Sequence, residues 1–153
     1  IAKFPELKKS APESDYLLEE VDFRTDSVNR KIVIPTHNGS FIVQYAYSHG
    51  DWVVVSASAD QVLMFSLNNG QERGHFFGTS PLISGNGLLA VENEASQITV
   101  YDLANSQLKQ QYSFADPILF KSFSADGNRL FVFTADQTAF ILDLTAKDLA
   151  AKN

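Results

Sequence analysis

Three segments of this chain are copies of one pattern. Ala59-Asp60-Gln61 leads into Val62-Leu63-Met64-Phe65-Ser66-Leu67. Ala95-Ser96-Gln97 leads into Ile98-Thr99-Val100-Tyr101-Asp102-Leu103. Ala135-Asp136-Gln137-Thr138 leads into Ala139-Phe140-Ile141-Leu142-Asp143-Leu144. Each is a small polar turn feeding an apolar strand that closes on leucine. The closing leucines lie 36 and 41 residues apart, from Leu67 to Leu103 and from Leu103 to Leu144. A period of that size implies stacked units, none of which buries its own faces alone.

The 153 residues suffice for a domain with a real core, and the hydrophobic fraction of 44% excludes a disordered chain. Twelve phenylalanines and five tyrosines favour pleated, packed surfaces. The formal net charge is −6, and residues 32–137 carry four Lys/Arg against nine Asp/Glu. A nucleic acid is held by neutralising its phosphates, so direct nucleic-acid binding is not expected here. With no cysteine there is no disulfide, thiolate zinc site or cysteine nucleophile. No apolar run reaches the length of a membrane-spanning helix. The chain opens on Ile1 rather than Met, from which we expect residues upstream.

Residues 1–29 differ from the rest, with 11 of the 30 charged residues and both signs mixed. They read as a linker or the remnant of a preceding element. Ser14-Asp15 fits the cap of a short helix over 16–21. The same residues fit a strand, because Leu17, Val21 and Phe23 alternate onto one face with Glu19. The helical or irregular reading is the one adopted.

From Arg30 onward, short apolar runs alternate with turn signals such as Asn38-Gly39, Asn69-Gly70, Gly85-Asn86-Gly87 and Asp126-Gly127-Asn128. They give twelve strands in three repeats of four, at 30–67, 71–103 and 108–144, with 146–153 as a tail. Val53-Val54-Val55, Val62-Leu63-Met64-Phe65 and Leu130-Phe131-Val132-Phe133 do not alternate, so both faces of their sheets are expected to be covered. Four-stranded sheets stacked face to face around an axis meet that demand. The more polar run Leu108-Lys109-Gln110-Gln111-Tyr112 suits a rim strand.

These residues resemble the WD repeats of β-propellers. The closest match is Phe123-Ser124-Ala125-Asp126-Gly127-Asn128-Arg129-Leu130, followed by Thr134-Ala135-Asp136-Gln137-Thr138-Ala139-Phe140-Ile141-Leu142-Asp143. It follows the family's serine-x-aspartate-glycine turn, strand, turn aspartate, strand and closing aromatic-aspartate pair, with Leu142 in place of Trp. Tyr101-Asp102 fills that pair in the second repeat and Phe65-Ser66 in the first. The turn aspartate is Asp60 and Asp136, with Ser96 in the middle repeat. The family's Gly-His pair is missing from its usual place: Gly74-His75 falls inside a predicted strand, so the bracing set of His, Ser/Thr, Asp and Trp is incomplete. Leu67-Asn68-Asn69-Gly70-Gln71 is similar to a turn of quinoprotein-type blades, although Trp52 is the chain's single tryptophan.

The resemblance implies an all-β, propeller-like fold of three four-stranded antiparallel blades. Three blades leave two apolar faces open, since propellers close with about four to eight. Three solutions stand: missing blades from the same parent chain, a homodimer of three blades plus three, or a cap made by residues 1–29.

The sites that chemistry would need are weak. His37, His49 and His75 sit on different turns or strands and lack metal-ligand spacing. Ser48, His49 and Asp51 are neighbours in one turn, with no strand-to-helix elbow around them. Gly85-Asn86-Gly87 precedes no helix, so it is not a phosphate loop. No catalytic residue, metal or cofactor is expected. The resemblance instead implies a non-catalytic protein-interaction scaffold that binds through loops on one face, here 35–38, 78–80 and 115–117 with the turns 58–61, 92–96 and 134–137. The candidate partner-binding residues are His37, Thr79, Glu92, Glu94 and Asp116, and acidic groups there would favour a basic protein partner. The alternative is the propeller portion of an enzyme or quinoprotein-like periplasmic protein whose active centre lies outside this chain.

Overall fold

A computed structural model describes residues 16–34, 42–93 and 96–145. These residues form thirteen strands and no helix. The chain divides into two compact units, residues 1–75 and 76–153.

In the first unit β1 (Tyr16–Asp22) pairs antiparallel with β2 (Ser27–Ile34). Residues 17–21 are therefore strand, not helix; the expected Ser14-Asp15 cap lies outside the described residues. The face shared by Leu17, Val21 and Phe23 is not the buried one; the side carrying Leu18 turns inward instead. Leu18, Ile32 and Ile34 are buried against Val53, Val55, Leu63 and Phe65, while Lys31 and Val33 stay exposed. Next come β3 (Val43–His49), β4 (Trp52–Ala57), β5 (Gln61–Ser66) and β6 (Glu72–Phe77), a four-stranded sheet in sequence order. Gly74 and His75 lie in β6, as their predicted strand requires. β4 and β5 are buried along nearly their whole length, as their unbroken apolar runs demand.

In the second unit β7 (Thr79–Ile83), β8 (Leu88–Asn93), β9 (Gln97–Asp102) and β10 (Gln107–Ser113) form a second four-stranded sheet. β11 (Ile118–Phe123), β12 (Arg129–Thr134) and β13 (Ala139–Asp143) form a three-stranded one. Leu88, Ala90, Ile98 and Val100 of the first pack with Leu130, Val132 and Leu144 of the second sheet's side. β10 is polar and only partly buried, as a rim strand should be.

The sheets run one strand out of step with the sequence repeats at 30–67, 71–103 and 108–144. The opening strand of each repeat, β2, β6 or β10, closes the sheet before it. Polar turns set the repeat in sequence, whereas backbone pairing sets the sheet. Among the described residues this leaves two sheets of four strands, one of three and one of two. Nor is β12 covered on both faces: Leu130 and Val132 are buried, but Phe131 is 36% exposed beside Phe120 at 55% and Ile141 at 70%. Nothing among the described residues of this unit packs over that face.

One backbone bond recurs with the repeat. The N–H of Leu67 donates to the carbonyl of Asp51 at 2.7 Å, that of Leu103 to Gly87 at 3.0 Å and that of Leu144 to Asn128 at 2.9 Å. The closing leucines thus tie each third strand back to the turn that opens the second strand of its sheet.

Candidate functional site

The turns at one end of the second unit's sheets form a continuous polar rim. Antiparallel register puts the start of β7 beside the end of β8, pairing Thr79 with Glu92, and puts Asn93 and Ser113 beside Gln97. Residues 114–117 then cross to β11. This crossing is fastened at both ends: the Phe114 N–H donates to the Ser96 carbonyl at 3.1 Å, and the Ala135 N–H donates to the Pro117 carbonyl at 2.9 Å. Asp116 lies half-buried between the two fastenings.

Gly78 allows the chain to enter this rim closely. Its φ is +144°, and a Cβ there would lie 2.6 Å from the Glu92 carbonyl oxygen and 2.8 Å from Val91. Only a residue without a side chain fits. Thr79 follows, exposed, with its hydroxyl 3.5 Å from the Glu92 carbonyl oxygen.

Glu92 is half-buried in β8, and its carboxylate accepts from the Lys121 ammonium of β11. The Lys121 side chain is 7% exposed. Beside it, the Asn93 amide donates to Gln97 Oε1 at 2.7 Å, and Gln97 Nε2 donates to Ser113 Oγ at 2.9 Å. Gln111 Nε2 also donates to Gln97 Oε1, at 2.8 Å. The buried Asn93 Oδ1 has no hydrogen-bond partner among the described residues.

Asp136 holds the neighbouring turn. Its carboxylate accepts from the hydroxyls of Thr134 and Thr138, both at 2.6 Å, and from the Thr138 N–H at 3.1 Å. The Thr134 hydroxyl, followed by Thr138, keeps its pKa below the usual aspartate value. Gln137 takes a positive φ of 67° in this turn.

Of the five residues expected from sequence, Thr79, Glu92 and Asp116 fall on this rim. His37 and Glu94 lie outside the described residues. Glu92 occupies a strand and carries an ion pair, where the sequence placed it in an exposed turn. Lys121 and Asp136 were not among the expected site residues. A single lysine amid Phe120, Phe123 and Leu119 was the available signal for the first, and a strand lysine between aromatics needs a carboxylate partner when buried. Asp136 lies in the turn 134–137, which the sequence places on the binding face.

At the opposite ends of these sheets two turns match each other. Ser84 Oγ donates to Asn86 Oδ1 at 2.6 Å and accepts from the Leu88 N–H at 2.8 Å. Ser124 Oγ donates to Asp126 Oδ1 at 2.6 Å and accepts from the Arg129 N–H at 3.0 Å. Ser84-Gly85-Asn86-Gly87 is thus a second copy of the serine-x-aspartate-glycine turn, with Asn for Asp.

Among the described residues no three His, Asp or Glu side chains gather as metal ligands would. Ser48 and His49 are exposed at the hairpin into β4, where Gly50 turns with φ +56°. No helix among the described residues is long and apolar enough to cross a membrane.

No protein-family model and no curated protein matches the chain. Solved structures do. Kluyveromyces lactis Hsv2 matches with a TM-score of 0.64 at 18% identity, over 84% of this chain and 41% of that one. The C-terminal WD40 domain of Sif2 matches with a TM-score of 0.61 at 13% identity, over 85% of this chain and 38% of that one. A complex of KlAtg21 with the coiled coil of AgAtg16 matches with a TM-score of 0.68 at 11% identity, over 93% of this chain and 47% of the matched one. The fold is therefore that of WD40 β-propeller blades. The chain spans less than half the length of the structures it matches.

Proposed function

We propose that this chain is part of a non-catalytic scaffold that docks other proteins, and that the rim holding Thr79, Asp116 and Asp136 contributes to docking. The observation that carries the reading is the double fastening of residues 114–117, by Ser96 on one side and Ala135 on the other. A crossing held at both ends presents Asp116 with little ordering to be lost on binding. Glu92 and Lys121 neutralise each other, so Asp116 and Asp136 set the sign of the rim, and a basic partner segment is the complementary one. The KlAtg21 complex with a coiled coil is a case of a structure of similar fold bound to another protein.

The test is a comparison of captured proteins between the unaltered chain and Asp116→Arg, at low and at physiological salt. Loss of basic partners in the variant, with the rest of the set retained, supports the reading. An identical set and identical affinities would remove this rim from it. Glu92 is a poor choice for that comparison, because its removal leaves Lys121 buried and unpaired.

A further inference from the structure

We propose that the cleft beneath the β1–β2 hairpin binds a small aliphatic α-amino acid of the leucine class, its side chain on the apolar wall and its two charged groups on Glu20 and Arg30. The cleft lies within the first unit and has a volume of about 180 Å³. Leu18, Ile32, Ala46, Val53 and Leu67 supply its apolar wall. The docking rim belongs to the second unit, so this reading does not depend on it.

Three observations select the ligand. The first is size. Pockets for drug-sized ligands run from about 300 to 1,000 Å³, so a nucleotide or a fused-ring cofactor is too large for this one. An apolar cavity of about 150 Å³ accepts benzene, so a branched aliphatic side chain fits.

The second is a break in the apolar pattern. Leu18 lies across from Ile32, and Glu20 lies across from Arg30. Alternation puts all of them on the face that turns inward with Ile34. On the opposite face Glu19 and Lys31 pair at 3.0 Å, within reach of solvent. Two charges on the inward face add nothing to burial, and departures of that kind mark functional sites. The pairing register also slips just after Glu20: Val21 lies across from Val28, which leaves Asn29 unopposed. Such bulges re-aim side chains and gather beside functional sites.

The third is unused bonding capacity. Arg30 Nε stands 3.7 Å from Glu20 Oε2, longer than a hydrogen bond. Neither side chain has another hydrogen bond or ion pair among the described residues. Both are a little under half exposed where they line the cleft. A guanidinium fork takes a carboxylate, and a carboxylate takes an ammonium. An α-amino acid presents both groups next to one side chain, and its charges alternate with those of the pair. A ligand with a single charge satisfies one of the two residues and is repelled by the other.

The test is calorimetric titration of the full chain with leucine, leucinamide and N-acetylleucine. Leucinamide stands for the N-terminal residue of a peptide, and N-acetylleucine for the C-terminal one. Leucine is expected to bind saturably and about tenfold tighter than either, since each of the others lacks one charge-assisted contact. Arg30→Gln should remove its advantage over leucinamide, and Glu20→Gln its advantage over N-acetylleucine. Thermal unfolding checks that both variants are folded. Absence of saturable leucine binding by the folded chain would overturn the proposal. So would equal binding of the three compounds, or an advantage for leucine that survives in both variants. Tighter binding of leucinamide or N-acetylleucine than of leucine would make the occupant a peptide end, and would overturn it as well.

Discussion

Lys121 of β11 reaches across to Glu92 of β8, 29 residues earlier, and the two charges neutralise each other at the margin between two sheets of the second unit. Lys121 is nearly inaccessible, whereas Glu92 keeps some contact with solvent. Removing one partner of a buried pair costs more than removing both, because the survivor is left charged and unsolvated. Glu92→Leu is therefore expected to destabilise the chain by about 3 kcal/mol, and Lys121→Met/Glu92→Leu to lose less than the Glu92→Leu and Lys121→Met single changes do together. Urea unfolding of the four proteins completes a double-mutant cycle. Additive effects would show that the pair contributes no coupling.

Gly78 makes a second prediction, about how closely the chain enters the rim. Gly50 and Gly78 both have positive φ, but a Cβ at Gly50 meets nothing within 4 Å while one at Gly78 meets the backbone of Glu92. Gly50→Ala should cost about 1 kcal/mol through backbone conformation alone. Gly78→Ala should cost clearly more, since β8 must shift. Chemical denaturation midpoints of the two variants provide the comparison, and equal losses would refute the close approach.

Most of this arrangement could be read from the chain where the physics is local. The polar turns at Asp60, Ser96 and Asp136 and the closing leucines announced themselves, because turn geometry restricts which residues fit. Continuous burial of β4 and β5 followed from Val53-Val54-Val55 and Val62-Leu63-Met64-Phe65. The misreadings came from pairing at a distance. β1 has an apolar spacing that serves a helix as well as a strand, and only Ile32 and Ile34 across the hairpin decide between them. The grouping of β6 and β10 with the sheets before them depends on backbone bonds that leave no mark in a repeat of side chains. Lys121 looks like an ordinary surface lysine until Glu92 is brought to it. Phe131 and Phe133 had suggested a covered sheet, yet apolar sequence alone does not supply the covering surface.

That exposed face leads to a third prediction. Phe120 and Phe131 have ring centroids 6.2 Å apart, and Ile141 stands out beside them. Apolar groups clustered at a surface favour association. Light scattering after size exclusion should show the apparent mass of this chain rising with concentration, and Ile141→Lys should flatten that rise. A constant mass in both proteins would mean that the face is covered.

The turn aspartates set the response to acid. Hydrogen bonds lower the pKa of three of them: chiefly from the Thr134 hydroxyl at Asp136, from the Ser124 hydroxyl at Asp126 and from the Thr145 hydroxyl at Asp143. A carboxylate whose folded pKa is depressed binds fewer protons in the folded state than in the unfolded state. Its contribution is complete above the unfolded value near 3.8 and is lost as the pH falls through the lower folded value. Stability should therefore be level with respect to these groups near neutrality and fall below about pH 4. Asp136→Asn removes one titrating carboxylate, so the fall in its urea midpoint over that range should be shallower than in the unaltered chain. The Thr134→Val variant separates the cause, because it removes the hydroxyl that chiefly holds the Asp136 pKa down while keeping the carboxylate. Its acid slope should also be shallower, with Asp136 titrating nearer 3.8. An acid slope unchanged in both variants would mean that the Asp136 turn opens before its carboxylate is protonated.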